Sequence, residues 1–312
     1  MSDSKNKRNN AQINIVISNQ KRKKITKEPP MQEHLAQEIP GHHQELKQIE
    51  KELDVLIGME EMKKIIKQIY AWIYVNKKRE EQGLKAEKQA LHMMFKGNPG
   101  TGKTTVARLI GKLFLKMNVL SKGHLIEAER ADLVGEYIGH TAQKTRDLIK
   151  KAIGGILFID EAYSLGRGGE KDFGKEAIDT LVKHMEDRHH EFILILAGYS
   201  AEMVEFLSLN PGLHSRFPIV VDFPDYTVDQ LMDIASLLLK EKEYQFSKEA
   251  EKQFEQHLLE LKNVWSPISF SNGRYVRNAI EKSIRSQAMR LLLSDMYDKK
   301  ELQTIRSQDL QF

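Results

Sequence analysis

The sequence predicts an α/β fold: a five-stranded, mainly parallel sheet sandwiched by helices, followed by a small all-α domain. Three observations predict it. Short apolar runs alternate with helix-spaced segments from Leu91 to Asp222, the pattern of strands joined by crossover helices. A glycine-rich stretch, Gly97-Asn98-Pro99-Gly100-Thr101-Gly102-Lys103-Thr104, joins the first run to the first helical segment. Past Phe223-Pro224-Asp225-Tyr226 the strand pattern stops and only helical spacing continues.

Taken in order, residues 1–45 read as a basic tail. Between Met1 and Lys27 stand eight lysines and arginines and one acid, and Pro29-Pro30 and Pro40-Gly41 break regular structure. Such an arm could touch nucleic acid, an anionic membrane or an acidic partner, with nucleic acid not favoured; a solvated, disordered extension is the simplest reading. The α/β domain is placed at 46–225. It opens with a helix whose apolar residues Met62, Ile65, Ile66, Ile69, Tyr70 and Ile73 share one face. The five strands are expected at Leu91–Lys96, His124–Glu127, Ile156–Asp160, Phe192–Ala197 and Ile219–Asp222. Helices are expected over Thr104–Met117, around Arg146–Ala152 and over Lys175–Met185. The helical domain is placed at 226–312. Thr227-Val228-Asp229-Gln230 fits a capping box that opens a helix to about Lys242, Ser247 caps a second to about Leu261, and a third runs over Asn272–Leu293.

Composition narrows the functional classes. The chain of 312 residues has no cysteine, which removes disulfides and thiolate metal sites and fits a reducing compartment. The net charge of +4 does not by itself imply a nucleic-acid partner. The longest apolar runs, Ile156–Ile159 and Phe192–Ala197, are far too short to span a bilayer, and the polar N-terminus lacks a signal-peptide core. A cytoplasmic protein without transmembrane segments is expected. His42-His43 and His189-His190 lack the spacing of a zinc site.

The glycine-rich stretch fits G-x-x-x-x-G-K-[ST], the loop that binds the phosphates of nucleoside triphosphates. Its glycines let successive backbone N–H groups turn inward onto phosphate oxygens. Lys103 would place its ammonium on the β- and γ-phosphates and the Thr104 hydroxyl would ligate Mg²⁺; Thr105 follows on the helix, whose positive end faces the same anion. The strand Ile156-Leu157-Phe158-Ile159 ends in Asp160-Glu161. A buried strand delivers those acids to the sheet edge where the phosphates sit, Asp160 for the Mg²⁺ shell and Glu161 as the base that polarises the attacking water. A redox dinucleotide site is excluded, because no G-x-G-x-x-G follows the first strand.

The phosphate loop, the Asp-Glu strand end and a helical lid after an α/β domain resemble the AAA+ ATPases, over roughly residues 50 to 290. Gly135-Glu136-Tyr137-Ile138-Gly139-His140-Thr141, Leu196-Ala197-Gly198-Tyr199, Phe223-Pro224-Asp225-Tyr226 and Asn272-Gly273-Arg274-Tyr275-Val276-Arg277-Asn278 are similar to one branch of that family. This branch contains the red-type Rubisco activases and a sporulation protein. The resemblance implies the P-loop AAA+ fold, ATP and Mg²⁺ as cofactors, and a ring motor, a hexamer, that remodels a protein client through a central pore, here in sporulation. Tyr137-Ile138-Gly139 would be the pore loop, whose aromatic grips an extended peptide whatever its sequence. Arg216 would be the arginine finger presented to a neighbouring subunit, and Arg274, with Arg277 as fallback, the lid arginine that touches the γ-phosphate. Leu56-Ile57-Gly58 would line the adenine pocket. Tyr199 stands where many AAA+ members carry a polar asparagine, so water positioning by an asparagine is not implied. Rubisco activation, a nucleotide-switched binding module and a DNA-remodelling ATPase are the alternatives; intact Lys103, Asp160, Glu161 and Arg216 disfavour the switch.

Overall fold

Every neighbouring pair of strands in the main sheet is parallel, as the alternation of elements requires. The computed structural model describes residues 44–86, 89–137, 139–167, 173–209, 211–264, 270–295 and 297–312. Residues 1–43 of the basic tail, Ile138 and the glycines at 168 and 169 lie outside the described residues, while Gln44 and Glu45, placed in the tail by the sequence reading, begin a helix. Strands β1 (Met93–Gly97), β2 (Leu125–Ala128), β3 (Ile156–Ile159), β4 (Ile193–Gly198) and β5 (Ile219–Phe223) lie in the order β2-β3-β4-β1-β5. Met93 of β1 faces Ile195 on one side and Ile219 on the other.

The strands read as continuous apolar runs because both faces of the sheet are covered. Their period of two shows instead in the core that each side chain enters. Met93, Phe95, Ile156, Phe158, Ile193 and Ile195 join one cluster, whereas Met94, Leu157, Ile159, Leu194 and Leu196 join the opposite one. The first cluster is closed by helices α1 (Gln44–Leu53), α2 (Glu60–Glu81) and α3 (Lys103–Lys116), through side chains such as Ile66, Ile110 and Phe114. The second is closed by α4 (Arg130–Leu133), α5 (His140–Ala152), α6 (Gly174–Asp187), α7 (Ser200–Leu209) and α8 (Pro211–Arg216), through Ile149, Leu181, Met203 and Leu213 among others. Just ahead of β1, His92 is buried, and its Nδ1 accepts the Leu194 N–H at 3.0 Å. Burial pushes this imidazole down to about 4, so it is neutral at pH 7.

Several helices have no counterpart in the sequence reading, among them α1, α4, α7 and α8. α7 and α8 fill the connection from β4 to β5; α7 carries apolar residues on more than one side, Val204 exposed and Met203 and Phe206 buried, which blurs its periodicity. α5 also extends upstream of Arg146 to His140, and its buried upstream positions are Thr141 and Thr145 rather than aliphatic residues.

The C-terminal region is helical as expected, built on α9 (Val228–Glu241), α10 (Lys248–Val264) and α11 (Asn272–Ser294). The capping box forms: Thr227 Oγ1 accepts the Gln230 N–H at 3.2 Å and Gln230 Oε1 accepts the Thr227 N–H at 2.9 Å. Leu231, Ala235, Phe254, Leu258, Val276 and Ile280 make its core. It adds a parallel pair of two-residue strands, β6 (Gln245–Phe246) and β7 (Thr304–Ile305), too short to leave a pattern in sequence. β7 follows helix α12 (Lys299–Gln303), and Arg290 of α11 holds this end by donating to Asp309 at 2.8 and 3.0 Å and to Glu301 at 3.0 Å. Among the described residues no helix is long and apolar enough to cross a membrane.

Candidate active site

The glycine-rich loop turns from β1, which lies between β4 and β5, into α3 at the C-terminal edge of the sheet. Gly100 and Gly102 have φ of 72° and 91°, a left-handed backbone that glycine adopts without penalty. Gly100 has a second reason to be glycine. A Cβ there would lie 2.0 Å from the Ser271 carbonyl oxygen and 2.8 Å from the Arg274 nitrogen, so the loop touches the start of α11 directly. Lys103 opens α3, and its Nζ donates to the carbonyls of Gly97 and Asn98, each at 2.8 Å. Burial pushes its ammonium below the ordinary lysine value; Asp160 opposes that shift and Arg274 adds to it.

A cavity of about 470 Å³ lies over this loop, a size that suits a nucleotide. Pro99, Gly100, Gly102, Lys103, Thr104 and Thr105 line it from the loop, Asp160 and Glu161 from the end of β3, and Arg274 and Arg277 from α11. Thus the elements read from sequence as loop, acid pair and lid arginine meet at one space. Asp160 Oδ1 accepts the Glu161 N–H at 2.9 Å, and Glu161 has φ of 46°, a left-handed conformation uncommon for a residue with a side chain. Among the described residues no group of three or more His, Cys, Asp or Glu is arranged to hold a metal ion. The hydroxyl of Thr104 and the carboxylate of Asp160 are hard oxygen donors that fit Mg²⁺, which takes its other ligands from phosphates and water.

The remaining predicted residues divide by position. Ile57 lines the cavity with Val55, Leu56 and Met59, opposite Ile234, Leu237 and Leu238 of α9, so the apolar end is made by both domains. Gly58 supports that wall and does not line it: at φ 67° its Cβ would lie 2.7 Å from Gln230 Nε2. Gly97, Asn98 and Thr101 shape the loop. Thr101 is buried and its hydroxyl donates to the Asn98 carbonyl at 2.8 Å. Tyr199 lines the cavity at the position of the usual asparagine, its ring 5.8 Å from that of Tyr163. Burial, aided by the nearby Glu161 charge, pushes the Tyr163 phenol up to about 12, so it keeps its proton and can donate.

Two predicted features stand away from the cavity. Arg216, at the end of α8, forms an ion pair with Glu186 of α6 and does not line the cavity of its own chain. Tyr137 is 65% exposed, and its ring lies edge-on to that of His140 at 5.4 Å. Gly139, with φ of 82°, starts α5 beside it. Sequence reasoning missed the α9 wall, Met59 and Tyr163. Tyr163 had a usable signal in its place two residues after Glu161; the α9 residues had none, because their helical spacing equally fits a lid core.

Comparison with known proteins agrees with this geometry. Residues 93–225 match the family described as ATPase family associated with various cellular activities (AAA), and residues 227–312 match the AAA lid domain. The chain is 71% identical over 304 residues to stage V sporulation protein K of Bacillus subtilis (strain 168), covering 97% of this chain and 94% of that protein. It is 43% identical over 258 residues to the chloroplastic ribulose bisphosphate carboxylase/oxygenase activase of Cyanidioschyzon merolae, covering 82% and 87%. It is 44% identical over 268 residues to the plasmid-borne protein CbxX of Cupriavidus necator, covering 85% and 83%. Within the branch, the overall look of the sequence already resembles the sporulation protein. Phosphate loop, acid pair, lid and relatives agree, and the chain belongs to the AAA ATPases, as an ATP-hydrolysing member of the branch that includes stage V sporulation protein K and Rubisco activases.

Proposed function

We propose that this protein is a Mg²⁺-dependent ring motor, a hexamer, that draws on a protein client through a central pore during sporulation. The observation that carries the chemistry is the convergence of Lys103, Thr104, Asp160, Glu161 and Arg274 on one cavity. Lys103 holds the β- and γ-phosphates, exchanging the loop carbonyls it now meets for phosphate oxygens. Thr104 and Asp160 hold the metal, which when bound draws charge from the phosphate oxygens. Glu161 takes the proton of the attacking water, and Arg274 meets the γ-phosphate from the lid. Arg216 serves the neighbouring subunit's phosphate, a role that its place outside its own cavity supports.

The motor reading rests on Tyr137. An exposed tyrosine on a glycine-flanked turn offers apolar area to an extended chain at little entropic cost. Sporulation is favoured over Rubisco activation by the relatives' names and their identities, 71% against 43%. A nucleotide switch is disfavoured because it has no use for Glu161.

The test is a trap. Glu161→Gln should bind ATP with wild-type affinity, lose turnover by about 10²–10⁴ and retain the client in a pull-down. In the same background Tyr137→Ala should keep ATP and release the client. Turnover above half the wild-type rate in Glu161→Gln would overturn the assignment of the base; an undiminished catch with Tyr137→Ala would overturn the pore loop.

A further inference from the structure

Two stretches that mark this branch, Phe223-Pro224-Asp225-Tyr226 and Asn272-Gly273-Arg274, hold residues with no task in the chemistry above. They meet at Asp225. Its carboxylate accepts Asn98 Nδ2 at 3.0 and 3.1 Å from the phosphate loop, and Asn272 Nδ2 at 2.7 Å from the first residue of α11. Asn272 is fully buried, and its Oδ1 accepts the Tyr226 N–H at 3.1 Å. Tyr226 in turn donates its hydroxyl to the Thr101 carbonyl at 3.1 Å, while the Gly273 N–H donates to the Gly100 carbonyl at 3.1 Å.

We propose that Asp225 is a positioning residue that sets Arg274 over the terminal phosphate and so lets the lid distinguish ATP from ADP. The same Asn98 whose carbonyl accepts Lys103 Nζ gives its side-chain amide to Asp225. When Lys103 turns from that carbonyl to a phosphate, a shift of Asn98 is relayed by the Asp225 carboxylate to Asn272, beside the direct loop contacts of Asn272 Nδ2 with the Pro99 carbonyl at 3.4 Å and of the Gly273 N–H with the Gly100 carbonyl. Arg274 follows two residues on, on the same helix, with its backbone nitrogen close above Gly100. A carboxylate suits this place because it has only acceptors to offer to two amide donors. An amide at 225 would turn one of its own donors against them. The bridge joins loop, interdomain connection and lid, and it accounts for an aspartate and an asparagine 47 residues apart in sequence.

This inference rests on the ATPase reading of the cavity, and its test separates the two. The purified full chain is compared as wild type, Asp225→Asn and the double variant Asp225→Asn/Asn272→Asp, measuring turnover and the affinities for ADP and for a non-hydrolysable ATP analogue. In the double variant the amide introduced at 225 donates to the carboxylate introduced at 272, still accepts from Asn98, and leaves an oxygen for the Tyr226 N–H. Asp225→Asn should leave ADP affinity within about twofold, and lower both turnover and the preference for the ATP analogue by about tenfold, the scale of one lost charge-assisted hydrogen bond. The double variant should recover part of the preference, because the carboxylate at 272 gives up the 3.4 Å contacts that Asn272 Nδ2 makes with the Pro99 and Phe270 carbonyls. An unchanged preference in Asp225→Asn, or equal weakening of both nucleotides in both variants, would overturn the role of Asp225. If Asp225→Asn does not fold, the double variant decides by the same ratio. An inactive wild type would count against the ATPase reading itself.

Discussion

Arg274 and Arg216 carry the same guanidinium and stand in opposite relations to the cavity. Arg274 lines it, brought there by the contact of Gly100 with the start of α11. Arg216 lies at the end of α8, on the helices that cover the sheet, held by Glu186 and by the Gly212 carbonyl. The difference separates the part of the site that one chain completes by folding from the part that the proposed ring would have to complete. Phosphate loop, acid pair and lid arginine come together within a single chain. The second arginine stays outside its own chain's cavity, as the proposed service to a neighbouring subunit requires, and its partner Glu186 is 57% exposed. Ion pairs so open to water contribute about 0–1 kcal/mol, so the pair holds Arg216 in place without locking it.

The comparison can be broken at its inner half first. Lys103→Ala removes the ammonium that the loop directs at the phosphates, in a partly buried site where water replaces it poorly. ATP affinity should fall on the order of a hundredfold or more, as for loss of one partner of a buried charge pair. Equilibrium binding of a fluorescent ATP analogue measures this, and near wild-type affinity would remove the loop from the account.

Its outer half is probed by a much smaller change. Glu186→Ala frees Arg216 without touching the cavity. ATP affinity should stay within about twofold and turnover of the assembled protein should change by less than about fivefold, because an exposed pair contributes so little. Steady-state kinetics would show it. A collapse of ATP binding would mean that Glu186 and Arg216 support their own cavity after all.

Much of this contrast was legible in the chain. The loop, Asp160-Glu161 and Arg274 are short signatures whose chemistry demands particular residue types at fixed spacing, and the sheet announced itself through runs buried on both faces. The structure brings these residues to one cavity. Other parts carried no such mark. Ile234, Leu237 and Leu238 have the helical spacing of any core, and only the position of α9 turns them toward the nucleotide cavity. The pairing of β6 with β7 spans two residues on each side, shorter than any alternation that could be read. α7 hid because apolar residues lie on its exposed side as well. The link from Asn98 through Asp225 to Asn272 joins three separate stretches, and a sequence shows residue types but not which distant amides share a carboxylate.

The measurement that tests the account most directly mixes two inactive proteins. Arg216→Ala subunits keep Glu161 but offer no guanidinium outward; Glu161→Gln subunits keep Arg216 but cannot activate water. Alone, Arg216→Ala should hydrolyse ATP slower than wild type by about 10³ or more, the worth of an arginine finger, and Glu161→Gln by about 10²–10⁴, the worth of a general base. Mixed, they should regain turnover wherever an intact Glu161 faces an intact Arg216 across a subunit boundary, and the regained rate should rise and fall with the mixing ratio. A mixture that stays silent although mixed assemblies are shown to form, or an Arg216→Ala protein that hydrolyses ATP at the wild-type rate, would contradict the division of the site between two chains.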